Sequence, residues 1–300
     1  MRYRYLIVDV FTEQRFGGNP LGVFLDARGL SDLQMQQIAR ELNYSESTFV
    51  LPPEQGETRR VRIFTPTREI PFAGHPNVGT AFALAAAGEL GDLAAPLTVT
   101  FEEGAGLVPV RIERRDGGTI VCELRAPKRL SRGLAFTAQE LAAAVSLDAE
   151  EVVTANHPPQ VISVGLPFIA AELRDRAALE RSRASMPGID ALAARGVMPD
   201  IHLYIKSGDE FDLRTRMYAP LDGVPEDPAT GSANVSLIGL LAHLDKRADL
   251  TLSKTIGQGF DMGRPSILEA SAEKKAGRVT ATYVGGRCVP MLSGEIDLSG

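Results

Sequence analysis

Hydrophobic and polar positions along the chain alternate first in strand rhythm and then in helix rhythm. Residues 4–10 are dense in apolar and β-branched types and predict a strand. The loop Arg15-Phe-Gly-Gly-Asn-Pro20 is built of turn formers, and Leu21-Gly-Val-Phe-Leu25 predicts a second strand after it. Ser31-Asp-Leu-Gln34 has the form of a capping box, and Met35, Ile38 and Leu42 then fall on one face of a helix that should end near Asn43. Strands are expected at Thr48–Leu51 and Val61–Phe64, and again near 97–101, 107–113 and 119–125. The polar segment Ala126-Pro-Lys-Arg-Leu-Ser-Arg-Gly133 is the preferred boundary between two parts of the chain. Beyond it, Thr137-Ala-Gln-Glu140 is a second capping box. Strands follow near 161–172 and 201–205, with an Ala-rich, helix-like stretch around 177–195 between them.

Two segments break the amphipathic pattern. Asn77–Ala87, after the turn Ala73-Gly-His-Pro76, is apolar nearly all round. A helix of that kind is buried on every side and needs a wrapper, which a curved sheet supplies. Val235, Leu237, Ile238, Leu240, Leu241 and Leu244 make a second helix of the same character. The segments leading into both helices also match. Phe64-Thr-Pro-Thr-Arg-Glu-Ile-Pro71 parallels Tyr218-Ala-Pro-Leu-Asp-Gly-Val-Pro225 at an offset of 154 residues, and Gly79-Thr80-Ala81 parallels Gly231-Ser232-Ala233 at 152. An ordered set of matches implies an internal duplication. It is a single long-range repeat and not a solenoid. Two related halves commonly place a ligand site between them.

Composition narrows the function classes. With 300 residues the chain can bury a sizeable core without staples. A net charge of −6 and a pI near 5.4 argue against nucleic acid or an anionic membrane as partner. Cys122 and Cys288 lie far apart and outside any Cys-x-x-Cys pattern, so they are expected to be packing residues and not a zinc site or disulfide. The start, Met1-Arg-Tyr-Arg-Tyr-Leu-Ile-Val-Asp-Val, reads as a strand and not as a signal peptide, and no apolar run is long enough to span a bilayer. A cytoplasmic protein is expected. His75, His157, His202 and His243 show no metal-ligand spacing. A phosphate-binding Gly-x-x-x-x-Gly-Lys loop and a Gly-x-Ser-x-Gly elbow are both missing. Gly257-Gln-Gly-Phe-Asp-Met-Gly263 has one residue too many for a dinucleotide fingerprint.

Three segments carry candidate chemistry. Glu46 sits in Asn43-Tyr-Ser-Glu-Ser-Thr-Phe, between a helix end and a strand, where a solvated loop carboxylate is the plain alternative. His75 directly precedes the first buried helix and could equally bond backbone at a turn. Asp227 and Thr230, in Val224-Pro-Glu-Asp-Pro-Ala-Thr-Gly-Ser-Ala-Asn, could be helix caps. Together they suggest more. Two buried helix starts with free N–H groups, facing each other, would hold a carboxylate with a histidine and an aspartate alongside.

These stretches resemble the PhzF family, the phenazine-biosynthesis isomerases and their relatives. The resemblance is carried by Phe16-Gly-Gly-Asn-Pro20, Asn43-Tyr-Ser-Glu-Ser-Thr-Phe-Val50, Ile63-Phe-Thr-Pro-Thr-Arg-Glu-Ile-Pro-Phe-Ala-Gly-His-Pro76, Glu226-Asp-Pro-Ala-Thr-Gly-Ser232 and Gln258-Gly-Phe-Asp-Met-Gly-Arg-Pro-Ser266, in the family's order. It implies an α+β fold of two pseudo-symmetric lobes, each a curved sheet rolled around a central helix, as in diaminopimelate epimerase. Lobe A would be 1–128, with strands from about 280 to 300 returning to it, and lobe B 129–279. It implies an isomerase without metal or cofactor, working as a homodimer on a small carboxylated substrate such as 2,3-dihydro-3-hydroxyanthranilate. Glu46 matches the general acid/base that takes and returns the proton. Asn19, Gly74, His75, Asp227, Gly231 and Ser232 match residues of the substrate site. The two thiols of the related epimerase have no counterpart before these helices. The region 130–210 matches loosely and leaves open a lyase or epimerase acting on an amino-acid-like substrate, or a protein that only binds a small carboxylate.

Overall fold

The computed structural model of the chain describes residues 1–298. It is a mixed α/β protein in which all eighteen strands join one hydrogen-bonded network around few helices. The first set of elements is β1 (Arg2–Val10), β2 (Asn19–Phe24), α1 (Asp32–Leu42), β3 (Glu46–Leu51), β4 (Arg59–Phe64), β5 (Glu69–Ile70), α2 (Gly74–Ala86), β6 (Leu97–Glu103), β7 (Gly106–Arg114) and β8 (Ile120–Arg125). The second set is β9 (Ser131–Ala135), α3 (Ala138–Val145), β10 (Val152–Val153), β11 (Gln160–Ser163), β12 (Pro167–Leu173), α4 (Arg176–Arg181), α5 (Met186–Ala193), β13 (Ile201–Lys206), β14 (Leu213–Ala219), β15 (Val224–Asp227), α6 (Gly231–Leu244), β16 (Leu250–Gln258), β17 (Ser266–Lys275) and β18 (Arg278–Asp297).

The two sets pair in the same order. From β1 to β8 the neighbours run β1–β2 antiparallel, β2–β3 parallel, β3–β4 antiparallel, β4–β6 parallel, then β6–β7 and β7–β8 antiparallel. From β11 the neighbours run β11–β12 antiparallel, β12–β13 parallel, β13–β14 antiparallel, β14–β16 parallel, then β16–β17 and β17–β18 antiparallel. Strand β18 serves both sets. Its first part pairs with β17, Tyr283–Arg287 pairs with β8, and Cys288–Asp297 pairs with β1. The first set is thereby closed into a ring around α2. The strands expected from about 280 to 300 fall on β18, and residues 299 and 300 lie outside the described residues.

Local chemistry accounts for the elements. Ser31 and Gln34 cap α1 reciprocally, and Asn43, with φ 53°, ends it. Thr137 and Glu140 do the same for α3. Helix α2 is buried from Gly74 to Ala85 and α6 from Gly231 to Leu240, as their all-round apolar sequences require. Both lie in one apolar core with Val8, Phe101 and Leu268 from the surrounding strands. Cys122 and Cys288 are buried and unpaired in β8 and β18.

Three details differ from the pattern-based reading. The Ala-rich stretch expected near 177–195 is two short helices, because Pro187 fits only the first turn of a new one. The strand expected at 161–172 is the hairpin β11–β12, turned at Gly165. The repeat also has a different register at its helices. The helices start at Gly74 and Gly231, an offset of 157, so Gly74 corresponds to Gly231 and Asn77 to Asn234. The pairs Ile63–Ile70 and Met217–Asp227 locate three extra residues in the second hairpin. The match of Gly79-Thr80-Ala81 to Gly231-Ser232-Ala233 is therefore a coincidence of small residues.

The helix starts meet. A Cβ built on Gly74 would lie 2.3 Å from the Ser232 amide nitrogen, and one on Gly231 would lie 2.9 Å from the Gly74 Cα. Gly74→Ala should lower stability by roughly 1–3 kcal/mol through overpacking, read as a lower urea midpoint. An unchanged midpoint would mean that the two helix starts can part freely.

Candidate active site

Side-chain placement in the cleft begins with the loop before β2. Gly18 has φ 64°, and a Cβ there would lie 2.4 Å from the Val10 carbonyl oxygen, so only glycine fits. Arg264 fixes this loop by donating to the Gly17 and Gly18 carbonyls, each at 2.8 Å, and to Asp9 at 2.7 Å. The loop delivers Asn19, fully buried, into the centre of the protein. The Asn19 amide donates to Asp227 Oδ1 at 2.7 Å and to the Ala229 carbonyl at 3.0 Å, and lies 3.2 Å from His75 Nδ1. His75 Nδ1 thus faces an amide donor, from which its lone pair can accept, while Nε2 is buried without a partner. Burial pushes the His75 pKa down to about 3, so the ring is neutral. Its 3.6 Å approach to Glu46 Oε2 is therefore a contact of a neutral imidazole with a carboxyl group and not an ion pair.

Glu46 opens β3, where the αL turn at Asn43 ends α1 and redirects the chain. Its Oε2 is buried and accepts no hydrogen bond. Burial, then the nearby Asp227, Asp222 and Asp200 charges, raise its pKa well above the ordinary carboxyl range. Asp227 closes β15 and is held differently. Ser45 donates to it at 2.5 Å, Thr230 at 2.6 Å and Asn19 at 2.7 Å. Burial raises its pKa, opposed by those three donors. Gln258 braces the start of α6, accepting from the Thr230 amide and from Asn234 and donating to the Asp227 carbonyl at 2.8 Å.

The N-caps of α2 and α6, Ala73 and Thr230, place no side chain on the first-turn amides. Two buried, uncapped helix starts therefore abut, each a favourable position for an anion. A small, narrow cleft lies beside them. Leu166, Phe168 and Met217 form apolar wall, and Glu46, Asp200, Asp222 and Asp227 converge on it. Ser232 also lines it. Asn19, Gly74, His75 and Gly231 stand immediately behind, as supports and as the meeting point of the helices. A larger groove lined by Arg60, Glu69 and Glu102 opens elsewhere on the surface.

Two residues of the cleft escape motif reading. Asp222 accepts a bidentate pair from Arg68, both contacts at 2.7 Å, joining the two matched Pro-turns. Asp200, just before β13, is 3% exposed, with Oδ1 unpartnered. Burial and the Asp222 charge, partly offset by Arg68, push its pKa up to about 7. The signal for Asp200 lies in the repeat, since the offset of 154 residues maps Glu46 onto it. Among the described residues, no group of three His, Cys, Asp or Glu side chains is arranged to hold a metal, and no helix is long and apolar enough to cross a membrane.

Comparison with known proteins gives one answer. The family model described as phenazine biosynthesis-like protein (PhzC-PhzF) matches residues 8–294. The trans-2,3-dihydro-3-hydroxyanthranilate isomerase of Pseudomonas aeruginosa is 37% identical, over 98% of this chain and 99% of that protein. The crystal structure of a PhzF-family phenazine biosynthesis protein from Bacillus anthracis superposes with a TM-score of 0.87 at 25% identity, covering 99% of this chain and all of that one. A structure from P. aeruginosa described as a predicted epimerase superposes at 0.82, with 32% identity and 99% of this chain covered.

Asp200 links the cleft to stability. Its folded pKa, about 7, exceeds the unfolded 3.8, so protonation stabilises the fold fully below that lower value. The contribution is lost as pH rises through about 7. Arg68 and Asp222 act on it electrostatically, and it acts in turn on Glu46. Between pH 4 and 8, Asp200→Asn should gain stability relative to the parent by on the order of 4 kcal/mol, measured by urea denaturation. A pH-independent difference would show that Asp200 titrates normally.

Proposed function

We propose that this chain, which belongs to the PhzC-PhzF family of phenazine biosynthesis-like proteins, is an isomerase that moves a proton on a small carboxylated substrate with Glu46 as base. The observation that carries the reading is the buried, unpartnered Glu46 carboxyl beside two uncapped helix starts in a small cleft. The substrate class follows from this chemistry and from the 37% identical relative, and 2,3-dihydro-3-hydroxyanthranilate is the substrate to test.

The substrate carboxylate is held by the first-turn amides at Gly74, Gly231 and Ser232, with the Ser232 hydroxyl beside them. The apolar wall of Leu166, Phe168 and Met217 accommodates the ring. Glu46 takes the hydrogen from C3, the double bonds shift toward a ketone, and the same carboxyl group returns the proton to the ring at the far end of the shifted system. The raised pKa makes Glu46 a stronger base when ionised, and the dry cleft keeps water from competing. Neutral His75 packs against Glu46 and fixes its orientation. Asp227, carrying three donors, orders Ser45, Thr230 and Asn19 around the cleft.

Division into lobe A (1–128 with the returning strand) and lobe B (129–279) belongs to the same reading. Its support is the repeated pairing order around α2 and α6 and the pairing of β9 with β11 alone. A homodimer and a cytoplasmic setting are further expectations of the family.

Glu46→Gln keeps the shape of the side chain and removes the base. Turnover of 2,3-dihydro-3-hydroxyanthranilate, followed by NMR, should fall about 10²–10⁴-fold, with substrate affinity and the urea midpoint close to the parent. Full turnover in a folded Glu46→Gln variant would place the proton chemistry elsewhere.

A further inference from the structure

The repeated strand order relates residues as well as elements. In the first set, Ser47 pairs with Phe64; in the second, Ile201 pairs with Tyr218. Phe64 and Tyr218 are the matched residues before the Pro-turns, so β4 maps onto β14. The parallel neighbours carry the match further. Arg59 and Arg60 lie opposite Phe101 and Glu102 on β6, as Leu213 and Arg214 lie opposite Ile256 and Gly257 on β16. One step on, Glu103 corresponds to Gln258. Each is the last residue of its strand, and each closes the pairing with the strand that follows, Glu103 opposite Gly106 and Gln258 opposite Ser266.

The relation is approximately twofold, because corresponding residues touch reciprocally. Gly74 packs on Gly231 and Ser232, while Gly231 packs on Gly74 and His75. At the Pro-turns, Arg68 pairs with its own counterpart, Asp222. These contacts lie on the axis. On either side of it the helix starts are built alike. Asn77 donates to the Ala73 carbonyl at 2.8 Å, and its counterpart Asn234 donates to the Thr230 carbonyl at 3.0 Å. Pro71 and Pro228 lie against the glycines that follow the two strand ends, Gly104 and Gly259. At α6 the residue that completes the arrangement is Gln258. Its Oε1 accepts from the Thr230 amide at 3.1 Å and from Asn234 at 2.8 Å, and its Nε2 donates to the Asp227 carbonyl at 2.8 Å. At α2 the same place holds a carboxyl group. Both oxygens of Glu103 are buried and, among the described residues, without a hydrogen-bond partner.

A carboxylate at this place is unfavourable twice over. It is a buried charge without a counter-charge. It also sets a negative charge behind the helix end to which the proposed function assigns the substrate carboxylate, and so opposes that end's attraction for an anion. A protonated carboxyl has neither defect. It offers one acceptor and one donor, as the Gln258 amide does. Burial raises the Glu103 pKa well above the ordinary carboxyl range, opposed by the neighbouring Asn77 amide. The charged groups lining the groove beside it are engaged with other partners: Arg60 with Glu54, Arg62 with Glu69, and Glu102 with the Glu54, Gln55 and Glu57 amides. His75, on α2, is neutral.

We propose that Glu103, in its neutral form, is the positioning residue of the α2 start and does there what the Gln258 amide does at α6. One oxygen accepts from the Ala73 and Asn77 N–H groups, the counterparts of those at Thr230 and Asn234. The hydroxyl donates to the Ile70 carbonyl, the counterpart of the Asp227 carbonyl. The inference rests on the reading of the two helix starts as the seat of the substrate carboxylate. Ionisation of Glu103 removes the donor of this clasp and places a charge behind the seat. Affinity for a carboxylate therefore falls as pH rises, while Glu46 still moves the proton of whatever substrate is bound. The sign for stability is the same. The folded pKa lies above the unfolded 4.5, so the contribution of the protonated form is complete below that value and is lost as pH rises through the folded one.

The test compares the parent with Glu103→Gln, Glu103→Ala and Gln258→Glu from about pH 5 to about pH 9, since buried glutamates titrate as high as about pH 8–9. Binding of anthranilate, an aromatic carboxylate with no C3 proton to move, is measured by calorimetry, and kcat and KM are measured with 2,3-dihydro-3-hydroxyanthranilate. Across this range the Kd and KM of the parent should rise roughly 2- to 30-fold relative to Glu103→Gln, the worth of a helix N-terminus to an anion, and the difference should lie in KM and not in kcat. Glu103→Gln keeps the clasp with no proton to lose, and so rescues the weak binding expected of Glu103→Ala at every pH. Gln258→Glu should steepen the pH dependence by bringing the same weakness to α6. Urea midpoints should show the parent losing stability relative to Glu103→Gln as pH rises. Parallel pH profiles for the parent and Glu103→Gln overturn the proposal. A divergence in urea midpoint without one in Kd or KM also overturns it, because that is the mark of a carboxyl that only packs. Anthranilate binding without turnover of the dihydro compound removes the isomerase reading and leaves this inference standing; binding of neither compound removes both.

Discussion

Two helix starts held in contact, with no room for a single β-carbon between them, set the geometry on which the rest of the molecule depends. Gly74 and Gly231 bring the positive ends of α2 and α6 together inside the protein, where water cannot solvate the first-turn amides. Such an arrangement is unfavourable by itself, and two features make it tolerable. The apolar faces of both helices are fully buried within surrounding strands, which supplies the stabilisation. The free amides are of the kind that favours an anion, which is why the proposed reading seats the substrate carboxylate there. The side chains that support the helix starts, Asn19, Gln258 and Asn234, are correspondingly buried and hydrogen-bonded among themselves and with Asp227.

Carboxyl groups converge on this positive centre, and their different partners give them different tasks. Arg68 fixes Asp222 in a bidentate pair, a structural tie between the two Pro-turns. Three donors fix Asp227, so it organises its neighbours. Glu46 and Asp200 keep an unpartnered oxygen. Within one small, low-dielectric cleft, environment and not residue type separates the charge holders from the groups free to exchange protons. The neutral state of His75 belongs to the same logic. A protonated imidazole beside Glu46 would hold it ionised by direct pairing, whereas a neutral ring leaves its affinity for a proton high.

Much of this was legible in the sequence, for reasons that differ by element. Capping boxes at Ser31 and Thr137 and the apolar helices after His75 and Thr230 were readable because local chemistry dictates them. The motif matches pointed to Glu46, His75, Asp227 and Ser232, and the structure brings Glu46, Asp227 and Ser232 to one cleft with His75 against Glu46. The register of the repeat was not readable past the Pro-turns. Three extra residues in the second hairpin shift the helix by an amount that only strand pairing reveals, and small residues match by chance. The split of 177–195 into two helices depended on Pro187 taking a first-turn position. Asn19 could be matched but not understood, since its role arises from Arg264, which is 245 residues away and grips the preceding glycines.

Asp200 marks the boundary between these kinds of information. No motif surrounds it, and in Met198-Pro-Asp-Ile201 an aspartate after proline reads as an ordinary turn residue. Only the duplication singles it out, by setting it in the register position that Glu46 holds in the other half. The two halves have diverged almost everywhere else at this level. Ser47 faces Ile201 in that correspondence, Leu21 faces Phe168, and His75 faces Ser232. Hydrophobic packing explains the first two changes, because each strand set fills its own interior. It does not explain a carboxyl retained at the one related position where both copies open onto the shared cleft, buried and without a partner in each case. A buried acid that contributes no hydrogen bond to the fold is destabilising in the half that carries it, and the same destabilising choice appears on both sides of the axis. The common factor is the space between them, the cleft that both carboxyl groups line.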